Sequence, residues 1–516
     1  MRSFDLGSSP NLWRQLIQRK EQSANSADHT ALLAGIDLET NAPVLIPQSI
    51  LEDGHVHISG RTGSGKTAAA LMSMAMQILR NGAQSDDPNQ KSPIIVIDLK
   101  GDRAFFNSVR DAAREHGRKF RYLSTRAGDD YHFFDPLQIF HLGSVTPIQL
   151  ASVFVRAFSL DYGLIYGGLY FTHQNMGALL DAANEIISQR HSAPTIGALS
   201  RILDRLSKSA YNKDARHIQL CLKFLAECEQ VNIESHDTPP ANSIDMLRVL
   251  EDSEVVYFYL ELEGEAPSLR QIAAFALYTL VQAAKERRAL GLPTRSTYVI
   301  IDEFYHIAGK SFGELLSTVR HLGLHMMLAN QTTSQLENHD KALPSIISTN
   351  TVAKIAYTLT SEEAREWSLE SGEKKELLRG FSRDPLKHEF GLMGVSAREA
   401  WTSNLSDDAL KFVNDTRLAA LLLVQDGNFH QGSRVKRLQT LYPIPKILYD
   451  LYQDTPFPRR KEVEPDLRPE VAEAISEAEN PPHPTSGKCD SELSSLHLRM
   501  EAVWQQMVSD EAMRID

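Results

Sequence analysis

Only three cysteines occur in 516 residues: Cys221, Cys228 and Cys489. They lack metal-ligand spacing and cannot build a disulfide framework, which excludes a cysteine-stapled secreted module and a structural zinc site. Long apolar runs are missing as well. No stretch approaches the roughly 18 residues needed to span a bilayer, and the longest candidate, Ala68 to Leu79, has another use. The N-terminus carries Arg2 and Asp5 and has no apolar core of a signal peptide. Together these absences predict a cytoplasmic protein. A surplus of positive charge is absent too: 54 Lys and Arg stand against 66 Asp and Glu, a net charge of −12. That excludes a protein coating nucleic acid over its whole surface, but not a ring whose narrow channel alone is basic.

What is present is a glycine-rich loop, Gly60-Arg61-Thr62-Gly63-Ser64-Gly65-Lys66-Thr67. A strand-like run, His55 to Ser59, precedes it, and a strong helix former, Ala68 to Leu79, follows. Glycines let the backbone turn tightly and bring its N–H groups against phosphate oxygens, at the positive end of the next helix. Lys66 is placed to reach the β- and γ-phosphates, and the Thr67 hydroxyl to hold Mg²⁺. The chain is expected to bind ATP.

Strand and helix patterns alternate on both sides of a helical block. Residues 1–40 read as a polar lead-in with one short helix near Leu12 to Arg19. Strand signals follow at Val44 to Ile46, His55 to Ser59, Ile94 to Asp98 and Phe120 to Leu123, within a first nucleotide-binding segment, 41–145. Residues 146–250 read as an inserted all-helical domain. Strands return in a second nucleotide-binding segment, 251–450, at Val255 to Leu260, Tyr298 to Asp302, His325 to Ala329 and Val352 to Tyr357. Another is expected at Ala419 to Val424, with a hairpin return over Arg434 to Leu441. Continuous apolar strands alternating with helices imply a doubly wound, mostly parallel sheet flanked by helices. Seven prolines between Pro456 and Pro484 mark a linker over 451–490. In the last segment, 491–516, Leu493, Leu496, Met500, Val503 and Met507 fall at heptad spacing on a short helix, suited to packing on its own core or docking on a partner.

Hydrolysis needs more than a phosphate loop. Tyr298 to Asp302 is an apolar strand ending in two acids, Asp302 and Glu303. Asp302 is expected to orient the Mg²⁺ shell, and Glu303 to polarise the attacking water. Asp302 lies 236 residues after Lys66 (302 − 66), so a large insertion must loop out between them. Asp98, at the end of another apolar strand, is a rival for the metal and otherwise a neighbouring site residue. Gln331, after the strand ending at Ala329, suits a sensor of the γ-phosphate. Arg320, on the helix before that strand, suits an arginine finger reaching into a neighbouring subunit.

These motifs resemble the FtsK/HerA superfamily of ring-forming pumping ATPases, and within it conjugative coupling proteins of the TraD/TraG type. The resemblance covers roughly residues 40–445. It rests on Gly60 to Thr67, Ile97-Asp98-Leu99-Lys100-Gly101-Asp102, Ile300 to Phe304, and Leu328 to Leu336 with Gln331 and Gln335. It implies a RecA-like P-loop core, a homo-hexameric ring and ATP-driven movement of DNA through a channel. It also implies an inserted helical domain and, as partners, relaxosome or secretion-channel proteins. Two departures stand out. Coupling proteins usually begin with transmembrane helices, and relatives of the HerA type with a β-barrel; neither precedes the loop here. A soluble relative, recruited to the inner membrane by a partner, is the expectation.

Basic residues at Lys310, and from Lys374 and Lys375 through Arg379, Arg383 and Lys387, suit channel charges or a solvated face. A secretion-type ATPase acting on protein cargo is the alternative reading, favoured by the acidic charge. An ATP-gated scaffold without turnover is another, disfavoured by the presence of Glu303.

Overall fold

In a computed structural model the chain is described from residue 9 to 460, apart from 24–28, 84, 86, 140–145, 162–167, 189–194, 209–215, 236–241, 263–266, 384–391 and 426–433. An eleven-stranded sheet runs through it. Its strands, in chain order, are β1 (Leu32–Asp37), β2 (Pro43–Ile46), β3 (His55–Ser59), β4 (Ile94–Asp98) and β5 (Phe120–Ser124). After two short paired strands, β6 (Phe133–Phe134) and β7 (Ser243–Ile244), come β8 (Val255–Tyr259), β9 (Thr297–Asp302), β10 (Leu324–Asn330) and β11 (Thr351–Ala356). A separate hairpin, β12 (Glu373–Arg383) and β13 (Leu392–Ser403), precedes β14 (Ala419–Val424) and β15 (Val435–Gln439).

The spatial order is β2-β1-β15-β14-β11-β3-β10-β9-β4-β8-β5. From β11 to β5 every neighbouring pair is parallel, while β11–β14 and the pairs beyond it are antiparallel. The apolar runs explain the parallel part. All five residues of β4 and all seven of β10 are buried, as strands covered on both faces must be. Ile95, Ile97, Val299 and Ile301 point to one apolar cluster, whereas Ile94, Val96 and Ile300 point to another.

The first cluster includes helices Pro147–Ala157, Gly168–Ser188, Ile196–Ser207 and Arg216–Ala226, which lie between β6 and β7, together with the long helix Pro267–Ala289. The second includes helices Met72–Arg80 and Arg103–Glu115. One element differs from the sequence reading. The 1–40 lead-in contributes β1, paired with both β2 and β15, because Leu32, Leu33 and Ile36 are buried there. The basic stretch from Lys374 rides on the β12–β13 hairpin, outside the main sheet, with Lys374 and Lys375 exposed. Residues 451–460, the start of the expected 451–490 linker, are described: helix Lys446–Asp454 runs into them, and Tyr452 and Phe457 are buried. Lys387, the rest of that linker and the expected 491–516 helix lie outside the described residues. Among the described residues no helix is long and apolar enough to cross a membrane.

Candidate nucleotide-binding site

Parallel pairing brings the tips of β3, β10, β9 and β4 to one edge of the sheet. Ser59 pairs with Asn330, and Asp98 with Asp302. The loop leaving β3 turns through Gly60 (φ 152°), Gly63 (φ 76°) and Gly65 (φ 112°). Gly65 cannot be replaced without a shift: a Cβ there would lie 2.7 Å from Leu418 Cδ2. Chain then winds through one wide π-turn, Lys66–Leu71, before the regular helix begins at Met72. Such turns widen the helix locally and recur at functional sites.

Thr67 Oγ1 donates to Asp302 Oδ2 at 2.6 Å, and Asp302 Oδ1 accepts from the Glu303 backbone N–H at 3.0 Å. Glu303 itself takes a left-handed backbone, φ 54°, an uncommon conformation for a non-glycine residue that aims its side chain back over the loop. Glu303 Oε1 lies 3.8 Å from Lys66 Nζ and accepts from Gln331 Nε2 at 3.4 Å. Its second oxygen, Oε2, is buried with no partner, as is Ser64 Oγ. Lys66 Nζ donates to the Gly60 carbonyl at 2.5 Å. Buried acceptors and donors left this way cost free energy unless something polar arrives.

Burial pushes the Lys66 ammonium below its ordinary range, and Glu303 and Asp302 pull it back. Burial raises both acids, with Asp302 adding to the rise at Glu303 and the Thr67 hydroxyl opposing it at Asp302.

Asp98 is not turned toward the loop. Its Oδ1 accepts from the N–H groups of Lys100 and Gly101, and its Oδ2 from the N–H of Asp102 and the Tyr257 hydroxyl. It therefore shapes the 98–102 turn. Burial, then the charges of Asp302 and Asp102, push its carboxyl up to about 7.

A cavity of about 300 Å³ lies over the loop, lined by Arg61, Thr62, Gly63, Gly65, Lys66, Thr67 and Glu303. Its far wall is made of residues the sequence reading did not single out: Arg417, Tyr442, Ile444 and Tyr449. These stand 350 or more positions from the loop and carry no local motif, so only the fold could bring them in. Arg61 N–H donates to Thr358 Oγ1 at 2.8 Å, bracing the loop against the end of β11.

Arg320 lies elsewhere. It is exposed, and its Nη1 donates to the Asp53 carbonyl at 2.6 Å, beside the start of β3 and thus at the opposite edge of the sheet. It does not meet the cavity of its own chain.

Among the described residues no group of three or more His, Cys, Asp or Glu forms a metal cluster. Mg²⁺ needs none. It is usually held through one or two protein oxygens, phosphate and water, and the Thr67 and Asp302 oxygens supply such a pair. With the unpartnered Glu303 Oε2 and Ser64 Oγ at a loop turned through Gly60, Gly63 and Gly65, the residues fit a Mg²⁺–nucleoside triphosphate.

Residues 296–402 match the family described as the TraM recognition site of TraD and TraG. No curated protein matches the sequence. Among solved structures, the bacterial conjugative coupling protein TrwBdeltaN70 in its unbound monoclinic form aligns with a TM-score of 0.55. The identity is 15%, over 86% of this chain and 93% of that chain. TrwB with the GTP analogue GDPNP (TM-score 0.54, 15% identity, 86% and 94% coverage) and TrwB with ADP and Mg²⁺ (0.53, 15%, 83% and 94%) align similarly. The fold is thus a RecA-like core of the coupling-protein kind, and the chain resembles TraD/TraG-type members of the FtsK/HerA superfamily.

Proposed function

We propose that this chain, similar to TraD/TraG-type coupling proteins, hydrolyses ATP with Mg²⁺ as a homo-hexameric ring and moves DNA in conjugative or mobile-element transfer. The observation carrying the ATPase reading is the convergence of Lys66, Thr67, Asp302, Glu303 and Gln331 under one cavity. TrwB, alike in fold, is described with nucleotide and with Mg²⁺.

In this reading the loop N–H groups and Lys66 bind the phosphates, with Lys66 leaving the Gly60 carbonyl to do so. Thr67 and Asp302 hold Mg²⁺, which offsets charge on the phosphate oxygens when bound. Glu303, oriented by Gln331, accepts the proton of the attacking water, and its raised proton affinity suits a base. Tyr442, Ile444 and Tyr449 face the nucleobase. Arg320 serves a neighbour's site across the ring, since it cannot reach its own. Residues 146–250 act as an inserted helical domain. The TraM-recognition match favours a relaxosome partner, and through it recruitment to the inner membrane.

The net charge of −12 keeps a protein cargo as the second reading. ATP turnover with and without DNA tests both, with Lys66→Ala and Glu303→Gln as controls. DNA stimulation abolished by both substitutions supports a nucleic-acid motor. Turnover indifferent to DNA shifts the cargo to protein, and tight binding without turnover leaves a scaffold.

A further inference from the structure

A second, larger basin of about 540 Å³ lies on the same edge of the sheet as the nucleotide site. The end of helix Pro147–Ala157, the start of helix Pro267–Ala289 and the turn following Glu303 frame it, with the start of helix Lys310–Val319. Five cationic or imidazole side chains face it: Arg156, Arg270, His306, Lys310 and His339. One acid, Asp161, joins them, and it accepts from Ser311 Oγ at 3.4 Å. Among the described residues none of the five forms a side-chain hydrogen bond or ion pair. That is unusual company in a chain carrying a net −12. Burial and the neighbouring Arg270 and His339 push the His306 imidazole down to about 4, so the cluster already repels a further positive charge. Free guanidinium and ammonium groups around one opening are matched by phosphate oxygens above other anions.

The basin is tied to the nucleotide site through packing. Phe312 lines it and stacks on Phe304, with ring centroids 5.6 Å apart and planes 23° apart. Phe304 directly follows Glu303, which holds a left-handed backbone (φ 54°). His306 closes the same short turn.

We infer that this basin grips the phosphodiester backbone of the nucleic-acid cargo, with Arg156, Arg270 and Lys310 as the phosphate contacts, and that its occupancy sets the position of Glu303. The inference rests on the DNA-motor reading. It names where cargo is felt and how hydrolysis is coupled to it.

The test is fluorescence anisotropy of the full chain with labelled single-stranded and duplex oligonucleotides across a salt series. The R156Q/R270Q/K310Q variant is compared with wild type, alongside DNA-stimulated and basal ATP turnover. The inference expects at least about a tenfold loss of affinity and a salt slope shallower by about two to three, one step per lost phosphate contact. DNA stimulation disappears, while basal turnover and the melting temperature hold. Arg270→Gln alone, with Arg270→Lys as its rescue, serves if the triple variant misfolds. Unchanged oligonucleotide affinity in the variants overturns the site and leaves the motor reading standing. Wild-type turnover with no oligonucleotide binding overturns both. Competition by tripolyphosphate without any binding of oligonucleotide makes the basin a small-phosphate site and overturns the cargo assignment.

Discussion

The Thr67 hydroxyl and the Asp302 carboxylate meet at 2.6 Å although 235 positions separate them in the chain. In the proposed reading each supplies an oxygen to a Mg²⁺ shell, so removing either should act only when the metal is present. For Asp302→Asn we expect turnover to fall by about two to four orders of magnitude, while nucleotide binding measured in EDTA stays near wild type. Equal loss of binding with and without Mg²⁺ would argue that Asp302 merely holds the loop.

Glu303→Gln keeps shape and removes the base. Turnover should drop by about 10²–10⁴ with ATP affinity retained or raised, because Lys66 no longer faces a competing carboxylate at 3.8 Å. Equilibrium binding of a fluorescent ATP analogue alongside steady-state turnover checks this; a variant that hydrolyses normally sinks the assignment.

Arg320→Ala should lower turnover by about three to five orders of magnitude if the residue acts across a subunit boundary. Because Arg320 does not reach its own cavity, mixing R320A with K66A subunits should restore part of the activity. Full activity of R320A alone would instead make it a bond to the Asp53 carbonyl and no more.

The buried Asp98 gives a pH signature with a definite sign. Its folded carboxyl titrates at about 7 against an ordinary 3.8. Its contribution to stability is therefore fully present below the unfolded value and lost as pH rises through about 7. His55 opposes it: burial lowers its imidazole from 6.5 to about 4, so its contribution is present above 6.5 and lost as pH falls toward 4. The difference in melting temperature between wild type and Asp98→Asn isolates the first effect. That difference should move against wild type between pH 5 and pH 8, without nucleotide. Parallel melting profiles for the two proteins would remove Asp98 as the source.

Tyr257→Phe removes one donor from Asp98 Oδ2 and leaves the ring packed. We expect a loss of about 1–3 kcal/mol in stability, since a buried acceptor goes short of a partner. Chemical denaturation measures it, and no loss would mean that water takes the position.

What the sequence reveals and what it hides divide along physical lines. The parallel strands are legible because burial on both faces demands unbroken apolar runs, as in Ile94 to Ile97 and Tyr298 to Ile301. Lys66, Thr67, Asp302 and Glu303 are legible because phosphate and metal chemistry constrains residue types over a few positions. β1 hides in a polar neighbourhood, since Leu32-Leu33-Ala34-Gly35-Ile36 is short and interrupted by glycine. The far wall of the cavity hides for another reason: Arg417, Tyr442 and Tyr449 have no local pattern, and they flank β14 and β15, which join the sheet through the distant strands β11 and β1. The part played by Asp98 is visible only in its four accepted hydrogen bonds. Sequence alone leaves metal and turn-shaping roles open at that position.

The central strand has a further consequence. Among the described residues β3, which leads into the glycine-rich loop, pairs with β10 and β11 alone, and these span residues 324 to 356. During synthesis the loop emerges early and waits without partner strands until 263 (330 − 67) further residues, through the end of β10, have left the ribosome. Pairing across such separations is slow, and unpaired apolar strands invite aggregation meanwhile. A nascent chain stopped at the end of the helical block would hold every residue of the phosphate loop and still have no place to put a nucleotide. In the proposed reading, nucleotide binding is thus acquired only after about two thirds of the chain, through Ala356 of 516 residues, has been made.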